Sequence, residues 1–541
     1  MVVTGGVSLN QIGHASNLEV SHRDPYSFYG SANVNIALYG WNIPFQISYS
    51  NRRTAFHQPF NQVGIHPVYR WITGHLGYTA LTFSPLTVNG HLFLGGGVEL
   101  RPGRNWKISA LYGRFLKAAE PDTLMGSSSR PSYQRNGYGI KVGYGDERNF
   151  AGITFFHAGD EINSLEVMPD EQGIFPEENL VLGFDFGKRI LKNWIFKGEM
   201  AFSALSHDIR ADEVHDYAWP GTVRLFYTPR ISSSFYQAGK ASLDYQGKFF
   251  SGGMGYERIP PGYRTLGAYF FNNDLESIHV HGNTSWGEGK VNVFFSLGLQ
   301  RDNLDEKKIS ATKRKVGNLN LHFMPGQHFN LSASYSNFQT YTQVQNPFQS
   351  LNQLTPYDYL DTLNYHQVTQ NASLQTAMML KGGEDGQHRL NFSFNFQEVN
   401  DFQEGMDDGV GNQLYYGNAH YGFHWRRKNT VSILFNASLY EGTLSSRRYG
   451  PGFSLYKILI QEKLRFNFSS TYQQSRIGGG KSRPYFNTRA GGNLTIRDRH
   501  QWQLNMVWVR REELKEEKVK NFQEFTVMLG YQYRWAKKKK G

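Results

Sequence analysis

Apolar and polar residues alternate along most of this chain with a period of two. Between 430 and 440, Val431, Ile433, Phe435, Ala437 and Leu439 share one face, and Thr430, Ser432, Asn436 and Ser438 share the other. Leu390, Phe392, Phe394 and Phe396 oppose Asn391, Ser393, Asn395 and Gln397 in the same way. Val291, Val293, Phe295, Leu297 and Leu299 oppose Asn292, Ser296 and Gln300, and Leu464, Phe466 and Phe468 oppose Arg465, Asn467 and Ser469. A period of two places successive side chains on opposite faces of a strand. These runs are long for soluble strands, which average about 5 to 6 residues. They match the 9 to 11 or so that a tilted strand needs to cross a bilayer.

Connections alternate between short and long. Short turns are expected near Gly40 and at 101–104, 146–149, 188–193, 246–247, 287–289, 325–327, 381–387, 426–428, 461–462 and 497–499. Longer polar stretches lie at 51–74, 115–136, 158–179, 206–234, 259–275, 302–312, 339–365, 400–411, 441–448, 476–484 and 512–521. Short periplasmic turns and long extracellular loops are the layout of a transmembrane barrel. Eleven hairpins plus the terminal runs 2–9 and 522–535 predict about 24 strands, within 22–26, and an even number leaves no sheet edge in lipid. The predicted fold is an all-β, antiparallel up-and-down transmembrane barrel over 1–535, one domain, with a basic periplasmic tail at 536–541. The stretch 51–90 fits this scheme least. It admits a further strand pair or an inward-folded loop around 69–83.

Tryptophan placement gives an independent reading. Trp41, Trp106, Trp194, Trp286, Trp425, Trp502 and Trp535 all sit beside a short turn or the C-terminus, which predicts a periplasmic aromatic girdle. The alternating run Phe525, Val527, Leu529, Tyr531, Tyr533, Trp535 has the form of an aromatic last barrel strand.

Composition agrees with a barrel. Aromatic residues make up 15% and Gly numbers 57, yet hydrophobic residues reach only 39% and mean hydropathy is −0.53. A wide barrel needs apolar residues only on its outward positions. Cysteine is absent, which removes disulfides, thiolate metal sites and cysteine nucleophiles. No apolar stretch of about 18 residues exists, which removes a helical membrane protein. MVVTGGVSLN has no signal-peptide character, so the expectation is that the numbering begins at a processed or truncated N-terminus. The formal charge is +12. It collects at Lys307, Lys308, Arg314, Lys315, 426–428, Arg447, Arg448 and 537–540, as expected of a rim facing solvent or lipid headgroups. No nucleic-acid motif accompanies it, so outer-membrane lipid and lipopolysaccharide are the expected surroundings.

Local motifs carry little chemistry. GGGKS at 478–482 lacks the earlier Gly of a phosphate loop, because Ser475 stands there, and it joins two strands, so it reads as a loop tip. Asp407, Asp408 and Gly409 lack calcium-loop spacing. Among 18 histidines there is no HExxH, and His279 with His281 is one strand face. Neither metal, cofactor nor catalytic residues are expected, and the chain does not read as an enzyme. Function falls to the lumen, where alternation places Glu99, Lys107, Lys141, Asp185, Lys197, Glu199, Asp244, Arg465 and Arg534. Their signs nearly balance, so the total charge does not by itself imply anion selectivity, and pairing among them or with in-folded loops is the plainer expectation.

GVELRPGRNWKISALYGRF (97–115), RNGYGIKVGYGDERN (135–149), PEENLVLG (176–183), YERIPPGYRTLGAYFFNNDLE (256–276) and GLQRDNLD (298–305) resemble segments of a Bacteroidota outer-membrane β-barrel family of uncharacterised function. The resemblance covers roughly the first 60% of the chain and implies an outer-membrane location and a barrel architecture, with no site residues to carry over. A lumen this wide needs an obstruction: folded-in loops, a plug, a lipoprotein or a periplasmic partner protein. Strand-like sequence begins at once, so no separate plug is expected ahead of the barrel. Loops 206–234 and 339–365, with Trp219, are the expected internal candidates. The expected function is a channel or translocon for solutes or polypeptides. The alternative is a non-conducting structural subunit of an export or assembly complex.

Overall fold

The computed structural model describes the chain apart from residues 18–23, 52–61, 121–130, 171–172, 215–225, 270–272, 307–312, 338–365, 383–385, 403–410, 426–428, 461, 516–517 and 538–541. Trp219, the loop 339–365, Lys307, Lys308, Asp407, Asp408, Gly409, the turn 426–428 and most of the basic tail therefore lie outside the described residues.

Every strand joins one antiparallel sheet. The sheet closes where Val2–Ser16 pairs with Lys518–Lys537, in a register running from Val3 opposite Lys537 to Ser16 opposite Glu524. Two short strands, Gln62–Ile65 and Val68–Tyr69, follow one another between the same neighbours, Trp41–Ser50 and Ile72–Thr82. They fill a single position, so the 27 strands make a 26-stave cylinder. At about 4.8 Å between strands and a tilt of 35–45°, its perimeter is on the order of 160 Å. Strand lengths suit the bilayer: Leu464–Ile477 and Glu178–Leu191 each have 14 residues.

Directly opposed residues of an antiparallel ladder share a face, so the register identifies the two surfaces around the whole wall. Val142, Ile153, Phe184 and Met200 are opposed in turn and face outward, and large apolar side chains stay solvent-accessible on that surface. Exposed apolar side chains all around a closed sheet are what a lipid phase requires, and closure pairs every backbone group that lipid cannot. The protein is an integral outer-membrane β-barrel.

The stretch 51–90 holds the further strand pair, whereas the inward-folded loop expected around 69–83 is the wall strand Ile72–Thr82, and the chain folds inward just after it. The two added staves are Ile72–Thr82 and, joined to it by a turn at Arg70–Trp71, the pair of short strands, which count as one stave. Pro67 interrupts the stave because it has no N–H for the ladder, which leaves pieces of four and two residues with no readable alternation. This raises the expected 24 strands to 26. Other boundaries also move into predicted loops: Ser446–Leu459 begins inside 441–448, and the first strand runs to Ser16 rather than Leu9.

Candidate functional site: the lumen

Two extracellular connections fold into the barrel. Segment 83–88 links Ile72–Thr82 to Asn89–Leu100, and segment 260–269 follows Phe250–Ile259. Phe83, Leu86, Val88, Tyr263 and Leu266 are buried against Phe93, Leu111, Phe115, Phe156, Val181 and Leu205 of the inner wall. Fully burying a side chain of this kind stabilises by about 1.5–3 kcal/mol. The segments also bond to each other. Tyr263 donates its hydroxyl to the Leu86 carbonyl at 2.6 Å, Thr265 Oγ1 donates to the Thr87 carbonyl at 2.8 Å, and Asn89 N–H donates to the Gly267 carbonyl at 3.0 Å. The wall reads their backbones through polar side chains. Leu266 N–H donates to Asn179 Oδ1 at 3.0 Å, Leu86 N–H to Glu199 Oε1 at 3.2 Å, and Lys141 Nζ to the Phe83 carbonyl at 2.7 Å. Glycine makes the space. A Cβ on Gly183 would lie 2.6 Å from Thr87 Cγ2.

An ionic network locks this plug at the extracellular rim. Arg135 holds Asp160 through two hydrogen bonds of 2.7 and 2.8 Å and reaches Glu177 at 2.9 Å. Arg264 of the plug donates to the other Glu177 oxygen. Burial alone would push the Glu177 carboxyl up. The Arg264 and Arg135 guanidiniums outweigh it and hold the group below the ordinary carboxylate range.

Of the internal loop expected at 206–234, Tyr227 lies elsewhere. Tyr227 packs on Leu180, Ala204, Phe155 and Phe235, which belong to the outward face, so this part of the loop covers the outside of the barrel. The reason is apolar: those outward positions sit at the strand tops, where the loop's own aromatic residue shields them.

All nine charged residues expected in the lumen lie on the inner face. Six make ion pairs. Glu99 lies 3.4 Å from His75, Lys141 contacts Asp185 at 2.7 Å, and Glu199 contacts Lys240 at 2.9 Å. Lys197 lies 3.2 Å from Asp244, which also meets His281 at 3.1 Å. Lys107, opposite Gly143, and Arg465, opposite Asn493, have no ion pair among the described residues; Arg534 donates to Gln532. Lys240, Arg135 and Asp160 also face inward and were legible by parity. Arg448 was hidden because its strand end read as loop. The seven girdle tryptophans all fall at short-turn strand ends on the outward face. Trp106 lies against Tyr144, Trp194 against Tyr245 and Trp502 against Tyr531 across neighbouring strands, with ring centroids 4.4–5.3 Å apart.

The opposite inner wall differs in kind. Asn292, His322, Ser332, Gln375, Ser393, Asn418 and Asn436 are opposed in sequence across seven strands, forming a neutral amide and hydroxyl surface. Gly478 to Ser482 turns between Leu464–Ile477 and Arg483–Ile496, so it joins strands and opens no helix. Among the described residues no three acidic or histidine side chains gather as metal ligands.

No family model and no curated protein matches the sequence. Among solved structures, the chain is similar to the translocation pore of the P pilus usher PapC, at 8% identity and a TM-score of 0.43, covering 98% of this chain and 99% of that one. It is also similar to the FrpB iron transporter of Neisseria meningitidis, at 10% identity and a TM-score of 0.38, over 98% and 81% of the two chains. For BauA, the ferric preacinetobactin receptor of Acinetobacter baumannii, the values are 8% and 0.35, over 98% and 80%.

Proposed function

We propose that this protein is an outer-membrane channel whose lumen is narrowed by its own in-folded loops. The observation that carries the reading is the plug itself: segments 83–88 and 260–269 are fastened to one inner wall by buried apolar contacts, backbone hydrogen bonds and the Arg135–Glu177–Arg264 network. A stave number of 26 encloses far more space than side chains fill, and a purely structural barrel has no need of an anchored obstruction bonded to polar wall residues. The neutral amide and hydroxyl wall suits a hydrated solute passing beside the plug. Outside, Arg258 and Arg301 flank Glu276 near the extracellular rim, a cationic arrangement suited to lipopolysaccharide phosphates.

Planar-bilayer recording of the purified full chain tests this. The expected result is a discrete conductance that rises several-fold when residues 84–87 are replaced by a short glycine linker. Absence of current in both forms, with folding verified by heat-modifiable electrophoretic mobility, would favour the non-conducting scaffold.

A further inference from the structure

Charges facing the lumen are sorted by wall. On the plug-bearing wall, from Ile72–Thr82 to Leu275–Trp286, acids and bases mix and meet in the pairs described above. Around the rest of the cylinder the inward parity positions include Arg389, Arg448, Arg465, Arg489, Arg511 and Arg534. Among the strand residues of that wall whose side chains are described, Glu524 is the only inward carboxylate, and it lies 3.6 Å from His14. The plug-bearing wall is therefore close to neutral in net charge, and strands 446–537, beyond the neutral row from Asn292 to Asn436, are basic.

The arginines are also spaced. Along strand Arg483–Ile496, Arg511 sits opposite Tyr485, Arg489 lies on the strand itself, and Arg465 sits opposite Asn493. Steps of four residues are about 13 Å each at the rise of a β-strand, so three rungs span about 26 Å along the tilted strand. The upper rung is doubled and preset. The Arg448 guanidinium lies 4.3 Å over the Tyr485 ring, and that of Arg511 lies 4.3 Å over the Phe522 ring. Such contacts hold a guanidinium through its face rather than its in-plane N–H donors, and Arg448 Nε has no hydrogen-bond partner. Between the rungs the wall carries the neutral residues Asn487, Gly491 and Asn505, and Arg489 Nε donates to Asn487 Oδ1 at 3.3 Å.

We propose that this wall is an arginine ladder that binds carboxylated or phosphorylated solutes and conducts them along the lumen. Bidentate guanidinium recognition favours planar carboxylates and phosphates, and spaced rungs let an anion pass from one to the next without a deep trap. The conduction half of this inference gives a substrate class to the channel above and rests on that reading; the binding half stands without it.

The test uses the full chain in detergent and labelled short-chain polyphosphate, with citrate as a small competing anion. Saturable binding is expected, weakened at least tenfold in the combined Arg448→Gln, Arg489→Gln, Arg465→Gln variant and unchanged in Arg447→Gln, Arg476→Gln, which removes a facing pair from the outer surface. Citrate competition would mark a site for small anions, and polyphosphate binding that citrate leaves untouched would mark one for polymers. Equal affinity in wild type and the inner triple variant, or equal loss in the outer double variant, would overturn the proposal. In a salt gradient across a planar bilayer, the wild-type reversal potential should carry the anion sign and move toward zero in the inner triple variant, and a cation sign would overturn the ladder. Absence of current would count against the channel reading alone, with the binding result still deciding the ladder.

Discussion

Tyr263 is the residue on which the plug turns. Its ring is fully buried, and its hydroxyl satisfies the carbonyl of Leu86 in the other in-folded segment. Burial holds the phenol well above its ordinary range, so it remains a donor throughout the physiological span. Tyr263→Phe keeps the packing but strands a buried carbonyl, which costs about 1–3 kcal/mol. Ala201 offers a readout, since it is fully covered beneath the plug and the chain has no other thiol once Ala201→Cys is introduced. Labelling of that thiol should accelerate by roughly one to two orders of magnitude in Tyr263→Phe, at about tenfold per 1.4 kcal/mol. Glu177 sets the pH response. Its folded-state pKa is depressed by Arg264 and Arg135 against the opposing effect of burial. It therefore stabilises the plug above the ordinary carboxylate pKa, and this contribution is lost as pH falls through the lower folded value. Ala201→Cys, probed with 4,4′-dithiodipyridine in acid, should stay protected through pH of about 4.3, the ordinary Glu value, and open only below it. Glu177→Gln should remove that acid transition.

Single strands show how far alternation carries. Strand Leu464–Ile477 keeps the two-residue rhythm over 464–469 and Asn429–Glu441 keeps it over 430–439 except at Leu434, and there the lipid and lumen faces were readable because each position has one neighbour phase, oil or water. The lumen charges were readable for the same reason. The plug was not. Segments 83–88 and 260–269 have no period, and their burial depends on glycines such as Gly183 in strands far along the chain. Pro67 hid a stave by breaking it, and loop-like composition hid Arg448 at a strand end. The aromatic girdle was visible as position but not as partnership: Trp106 sits opposite Tyr144 on the adjacent strand, in an edge arrangement at 5.0 Å. A double-mutant cycle of Trp106→Ala and Tyr144→Ala, read by urea unfolding in lipid, should return a coupling of about 0.5–1.5 kcal/mol. Additive effects would mean that the two rings contact lipid separately.

For the whole molecule, everything depends on closure. An open sheet would leave two rows of unpaired backbone groups in hydrocarbon, at several kcal/mol for each group. The first and last strands therefore have to meet even though the entire chain lies between them, a contact that makes folding slow and all-or-none. The register places Ser8 opposite Gln532 on the lumen face, with Val7 opposite Tyr533 on the lipid face. Closure also gives the lumen its unlike walls, since the arginine-bearing wall and the plug wall become sides of one space only when the seam is joined. Because the chain has no cysteine, a pair at Ser8→Cys and Gln532→Cys can report on nothing but itself. Oxidised in native membranes, this pair should cross-link to near completion and give a faster-migrating band on non-reducing denaturing gels, while Ser8→Cys with Tyr531→Cys, one residue out of register and on the other face, should not. Failure of the first pair to cross-link in folded protein, or equal cross-linking of both, would contradict a closed barrel in this register.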